Sequence, residues 1–138
     1  MLLGVLSDTH SHVELTQDAF RILRNLGAET VLHCGDIGSV SIIPLFPDLP
    51  THFVLGNVDW NVEEFREAIA EAKQTFHGRF GTMELDGRRI ALLHGDDEQL
   101  LRKTIQDKTV DVVCYGHTHI AEQHCENGKL VVNPGAVW

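Results

Sequence analysis

The sequence predicts an α/β sandwich, two mixed β-sheets packed face to face with helices on the outer sides, and three observations carry that prediction. The first half alternates short apolar runs with helix-period segments, an order that produces parallel strands joined by right-handed crossovers. The second half contains two hairpin signals, Asp86-Gly87 and Asn127-Gly128, which belong to antiparallel pairing. Five apolar runs then end abruptly in polar groups, as strands do where a site lies beyond their carboxyl ends. With 138 residues, the chain is expected to form a single domain, residues 1–138.

Met1–Leu6 reads as the first strand. It is apolar but lacks a basic start and runs straight into Asp8, so it is a buried strand rather than a secretion signal. The segment Val13–Leu26 places Leu15, Ala19, Ile22, Leu23 and Leu26 on one helical stripe, with Gly27 as C-cap. Thr30–Cys34 is the second strand, Val40–Leu45 a short helical segment, and Thr51–Leu55 the third strand. Asn61 caps the next helix, with Glu64 at the capping-box position and Phe65, Ile69 and Ala72 facing inward. Hairpin strands 80–85 and 88–93 follow, then a helix near Asp97–Asp107 and an apolar strand, Val110–Tyr115. Residues 121–125 and 129–132 form the second hairpin.

Composition narrows the function. Hydrophobic residues are 43% and charged residues 22%, ordinary for a globular chain, and no apolar run approaches the ~20 residues that span a bilayer. The formal charge of −9 argues against a dedicated nucleic-acid surface. It does not exclude a small phosphorylated substrate, because bound dications reverse the local field where carboxylates gather. Cys34, Cys114 and Cys125 are odd in number and lack C-x-x-C spacing, which points to a reducing cytoplasm without disulfides.

The strand-end residues carry the chemistry. They are Asp8 and His10, Asp36, Asn57, His94, and His117 with His119. Members of a pair two residues apart in extended chain point the same way and can reach one site. Glycine precedes Asp36, Asn57 and His117 and follows His94, where a strand must turn or the backbone come close to something. Two carboxylates, an amide oxygen and four imidazoles form a mixed O/N donor set. Such a set suits Mn²⁺, Fe²⁺, Zn²⁺, Co²⁺ or Ni²⁺ better than Ca²⁺. Seven ligands exceed one tetrahedral ion, and a shared carboxylate between two ions resolves the count.

Asp8-x-His10, Gly35-Asp36, Gly56-Asn57-x-Asp59, His94-Gly95 and Gly116-His117-x-His119 resemble, in order, the motifs of the calcineurin-like metallophosphoesterase superfamily. The likeness is greatest to its small bacterial and archaeal phosphodiesterase branch and covers nearly the whole chain. The resemblance implies that Asp8, His10 and His119 bind one divalent ion and Asn57, His94 and His117 a second, with Asp36 bridging; manganese is the first choice of metal. It implies hydrolysis of phosphodiesters or activated phosphate esters by a hydroxide shared between the ions. Asn57, His94 and His117 would lie nearest the reacting phosphate, and Asp59 would orient or tune the site.

Many superfamily members carry His where this chain has Val58, and a valine cannot protonate a leaving group. That tilts the expected substrate toward diesters. Asp96 stands where near relatives often have another His. His33 is expected to support the ligands from behind, His12 to be an exposed bystander, and Trp60 and Phe80 to be candidate pocket walls. The chain also stops soon after Asn133-Pro134-Gly135, a segment that in relatives precedes further strands. The expectation is a domain without those strands, whose open edge a second copy could cover as a homo-oligomer. Two readings compete: a non-catalytic scaffold on the same fold, as in a retromer subunit that resembles this family, and a phosphomonoesterase. Loss of ligands would mark the scaffold, and all seven are present.

Overall fold

The computed structural model describes residues 1–138. Four strands, β1 (Leu3–Leu6), β2 (Thr30–His33), β3 (Thr51–Phe53) and β4 (Thr75–Phe76), pair in sequence order, parallel throughout. Between them run helix α1 (Val13–Asn25), a 3₁₀ turn (Val40–Leu45) and helix α2 (Val62–Glu71). The second sheet has the order β5-β6-β7-β9-β8, from β5 (Phe80–Leu85), β6 (Arg88–Leu93), β7 (Val112–Cys114), β8 (Glu122–Glu126) and β9 (Lys129–Asn133). Its central pairs, β6 with β7 and β7 with β9, are parallel, while the outer hairpins are antiparallel. Both hairpin turns carry positive φ at two successive residues, Asp86-Gly87 and Asn127-Gly128, the geometry of tight two-residue turns.

Three apolar layers explain the stacking. Leu32, Cys34 and Val54 of the first sheet meet Ile90, Leu92 and Cys114 of the second in a dry seam. On the outer face of the first sheet, Val31, Phe53 and Leu55 pack with Phe20 of α1 and Phe65 and Ile69 of α2. Outside the second sheet, Ala91, Leu93 and Val113 pack against Ile105 of helix α3 (Glu98–Gln106). The result is the expected helix-sheet-sheet-helix sandwich.

The caps follow the sequence closely. The Asn61 side chain accepts from the Glu64 N–H, and the Asp97 carboxylate accepts from the Leu100 N–H. Gly27, at φ +90°, ends α1 with its N–H on the Arg24 carbonyl.

The buried stripe of α1 is a correction. Leu15, Ile22 and Leu26 are exposed, and the helix instead buries Thr16 and Phe20, flanked by Val13, Ala19 and Leu23. Both stripes have helical spacing. The face centred on Phe20 wins because that ring packs edge-on against Phe46, 5.5 Å away between centroids.

Candidate metal centre

The carboxyl ends of β1, β2, β3, β6 and β7 converge on one rim of the sandwich, and each delivers its polar residue through a sharp turn. Asp8, His10, Asp36, His117 and His119 all have positive φ, from 41° to 71°. Non-glycine residues rarely adopt this region, and a concentration of such strain marks sites where geometry matters more than local comfort. Two glycines make the crowding possible. A Cβ on Gly56 would sit 2.1 Å from Asp36 Oδ1, and one on Gly116 would sit 2.0 Å from Ser7 Oγ and 2.6 Å from Asp8 Oδ2.

Each buried carboxylate has one oxygen anchored and one left free. Asp8 Oδ2 accepts from Ser7 Oγ at 2.6 Å and from the His117 N–H at 3.1 Å. Its Oδ1 faces His119 Nε2 at 3.2 Å and His10 Nε2 at 3.5 Å. Asp36 Oδ1 accepts from the Val58 N–H at 3.1 Å, while its Oδ2 stands 3.2 Å from both His10 Nε2 and His94 Nε2. Donor atoms of Asp8, His10, Asp36 and His119 all lie within 4.8 Å of one another. Asp8 Oδ1, His10 Nε2 and His94 Nε2 are buried without any hydrogen-bond partner.

That arrangement suits a cation. His94 Nδ1 donates to the Cys34 carbonyl at 2.8 Å, which aims the other nitrogen at Asp36, the orientation a ligating histidine needs. A lone pair facing a carboxylate oxygen is repulsive unless a proton or metal ion lies between them. Burial pulls the His94 pKa down, but Asp36, the Cys34 carbonyl and Asp8 outweigh it and hold the imidazole above its ordinary value. Burial likewise opposes ionisation of Asp36, yet His94, the Val58 N–H and His10 keep its pKa below the usual range. The donor set therefore fits a divalent ion.

Behind the cluster lies a neutral, fully paired layer. Thr9 Oγ1 donates to the Ile37 carbonyl and pairs with His33 Nε2, while His33 Nδ1 accepts from the Gly35 N–H. Burial pushes the His33 pKa down to about 3, so the ring is uncharged and braces the loop that carries Asp36. Asp59 is fully buried, and its carboxylate accepts from the backbone N–H groups of Ile37, Gly38 and Gly56 at 2.9–3.0 Å. Its role here is to tie together the loops after β2 and β3.

The other expected residues lie alongside. The His117 ring is 5.1 Å from that of His94, nearly perpendicular. Asn57 is exposed on the loop between Gly56 and Val58. Trp60 and Phe80 are exposed. Two residues at the site escaped the sequence reading. Arg79 donates to the carbonyls of Gly56 and Asp59, clamping the Asn57 loop. Trp138 lies against His10 and His119. Neither belongs to a motif, and only the fold brings them there.

Fold and site together define a metal-dependent phosphoesterase. The chain belongs to the calcineurin-like phosphoesterase superfamily, whose domain model matches residues 1–138. A phosphodiesterase of Methanocaldococcus jannaschii is 32% identical over 138 residues, covering 98% of this chain and 83% of that one. The solved structure of an archaeal phosphodiesterase superposes with a TM-score of 0.91 at 30% identity, covering 99% of this chain and 84% of the other. A variant of Vps29 from Entamoeba histolytica superposes with a TM-score of 0.72 at 25% identity, covering 99% and 74%.

Proposed function

We propose that the protein hydrolyses small phosphodiesters using two divalent ions, manganese first among the candidates, with nickel, iron, zinc and cobalt as alternatives. In this reading Asp8, His10 and His119 hold one ion, Asn57, His94 and His117 the other, and Asp36 lies between them. The observation that carries it is the position of Asp36 Oδ2, buried and equidistant at 3.2 Å from the Nε2 atoms of His10 and His94. A second reason is the archaeal phosphodiesterase likeness.

Such ions lower the pKa of water toward neutrality and neutralise charge on phosphate oxygens. The chain's own contribution is preorganisation. Ser7 and the His117 N–H fix Asp8, the Val58 N–H fixes Asp36, and the Cys34 carbonyl fixes His94, so no ligand needs to reorient. Val58 offers no proton to a leaving group, which favours diesters or activated esters over monoesters. The acidic charge of −9 favours a small substrate over a polyanion. The three cysteines are free and two are buried, in keeping with a reducing cytoplasm. No helix is long and apolar enough to cross a membrane.

The test is hydrolysis of bis(p-nitrophenyl) phosphate beside p-nitrophenyl phosphate by protein stripped with chelator and reloaded with Mn²⁺. Diester turnover should exceed monoester turnover, vanish without metal, and fall at least about a hundredfold in Asp36→Ala. A non-catalytic scaffold on the same fold is the competing reading. Absence of turnover with every metal tried, despite stoichiometric binding, would favour it.

A further inference from the structure

Trp138 stands at the rim of the donor cluster with no part in holding it. Its ring centroid is 4.9 Å from that of His10 and 5.0 Å from that of His119, at interplanar angles of 90° and 76°. A third imidazole, His12, lies 5.0 Å away, tilted at 48°. Edge-to-face contacts of this kind are attractive and directional. Imidazoles from the loops after β1 and β7 therefore fix one indole in place. Yet Trp138 remains 54% exposed. Trp60, the chain's other tryptophan, is 81% exposed and has no aromatic neighbour.

An indole held edge-on by imidazoles and left half open keeps surface for something else to cover. Its neighbours say what that is. Trp138 touches the two histidines whose Nε2 atoms face Asp8 and Asp36, so a phosphate gathered at that cluster has its ester group within reach of the indole. A flat aromatic substituent would stack there, and a rigid tryptophan supplies contact area at small entropic cost. An alkyl group would gain little.

We infer that Trp138 is a specificity-determining wall of the substrate site, selecting phosphodiesters whose retained ester group is a planar aromatic ring. This inference rests on the phosphoesterase reading above. A merely structural role, in which Trp138 steadies His10 and His119, would affect every substrate alike.

Two measurements separate these roles. The first compares bis(p-nitrophenyl) phosphate with methyl p-nitrophenyl phosphate, which share a leaving group and differ in the group retained. Trp138→Ala should raise KM for the first about tenfold, leave KM for the second and both kcat values near wild type, and be largely rescued by Trp138→Phe. The second uses Trp60→Phe, in which Trp138 is the sole indole. In the Mn²⁺-loaded protein, phenylphosphonate should perturb its fluorescence and, by calorimetric titration, bind more tightly than methylphosphonate, a preference lost in Trp138→Ala.

Equal changes for both diesters, a change confined to kcat, or equal binding of the two phosphonates would overturn the inference. The two readings fail separately. Turnover without aryl preference removes the stacking wall and leaves the phosphodiesterase. Aryl preference in the phosphonate titration without turnover of either diester leaves the wall and removes the proposed reaction.

Discussion

At the scale of single residues, the candidate ligands stand out in the sequence because each is announced locally. Asp8, Asp36, Asn57, His94 and His117 follow apolar runs directly, and glycines at 35, 56 and 116 mark where the backbone must turn or crowd. Arg79 and Trp138 were illegible for the opposite reason. Their partners are 19 or more residues away, and an arginine or tryptophan near a strand end carries no motif of its own. His33 was read only as a supporting residue, and its full burial has a measurable consequence. Its folded pKa, about 3, lies below the unfolded value of 6.5. As pH falls through 6.5 the unfolded chain takes up a proton that the folded chain refuses. His33 thus destabilises the fold progressively between those limits, by about 1.4 kcal/mol per pH unit. His52 and His77, also lowered by burial, act in the same direction, whereas His94, raised in the folded state, favours the fold at low pH and loses that contribution as pH rises. Urea unfolding of stripped wild type beside His33→Gln isolates the His33 share. The wild type should lose more stability than the variant between about pH 6.5 and pH 4, by roughly one proton's slope. Parallel profiles would show that the ring is not held neutral.

At the scale of elements, hairpins and caps were the most predictable features, since Asp86-Gly87, Asn127-Gly128, Asn61 and Gly27 act through neighbouring backbone. The two-residue strand β4 was missed because so short a segment has no period to read. The rotation of α1 was missed because its sequence offers two apolar stripes and only tertiary packing around Phe20 and Phe46 decides between them. What joins the elements at the site is Asp59. Its carboxylate gathers three N–H groups from the loops after β2 and β3, and an amide in its place can satisfy them only in part. Asp59→Asn should therefore cost about 2 kcal/mol of stability in stripped protein. It should also weaken Mn²⁺ binding by roughly tenfold or more, because Asp36 and Asn57 sit on the loops it joins. Calorimetric titration and urea unfolding check both parts, and unchanged metal affinity would show that the loops hold their shape without it.

At the scale of the whole molecule, the sandwich makes the site by bringing the ends of five strands from two sheets to one rim. The seam of Leu32, Cys34, Val54, Ile90, Leu92 and Cys114 fixes the sheets against each other, and so sets how far Asp36 on one lies from His94 on the other. That distance is the basis of the account, since in the proposed two-ion reading one carboxylate serves both. The fold class was legible from the order of elements, but the alignment of the rims was not, because it depends on how the two sheets pack. The most direct test is electron paramagnetic resonance of the stripped protein titrated with Mn²⁺. The account predicts two ions per chain and, at saturation, the broadened signal of a spin-coupled pair, replaced in Asp36→Ala by weaker binding and an uncoupled spectrum. A single ion per chain with an isolated six-line signal, unchanged by Asp36→Ala, would contradict it.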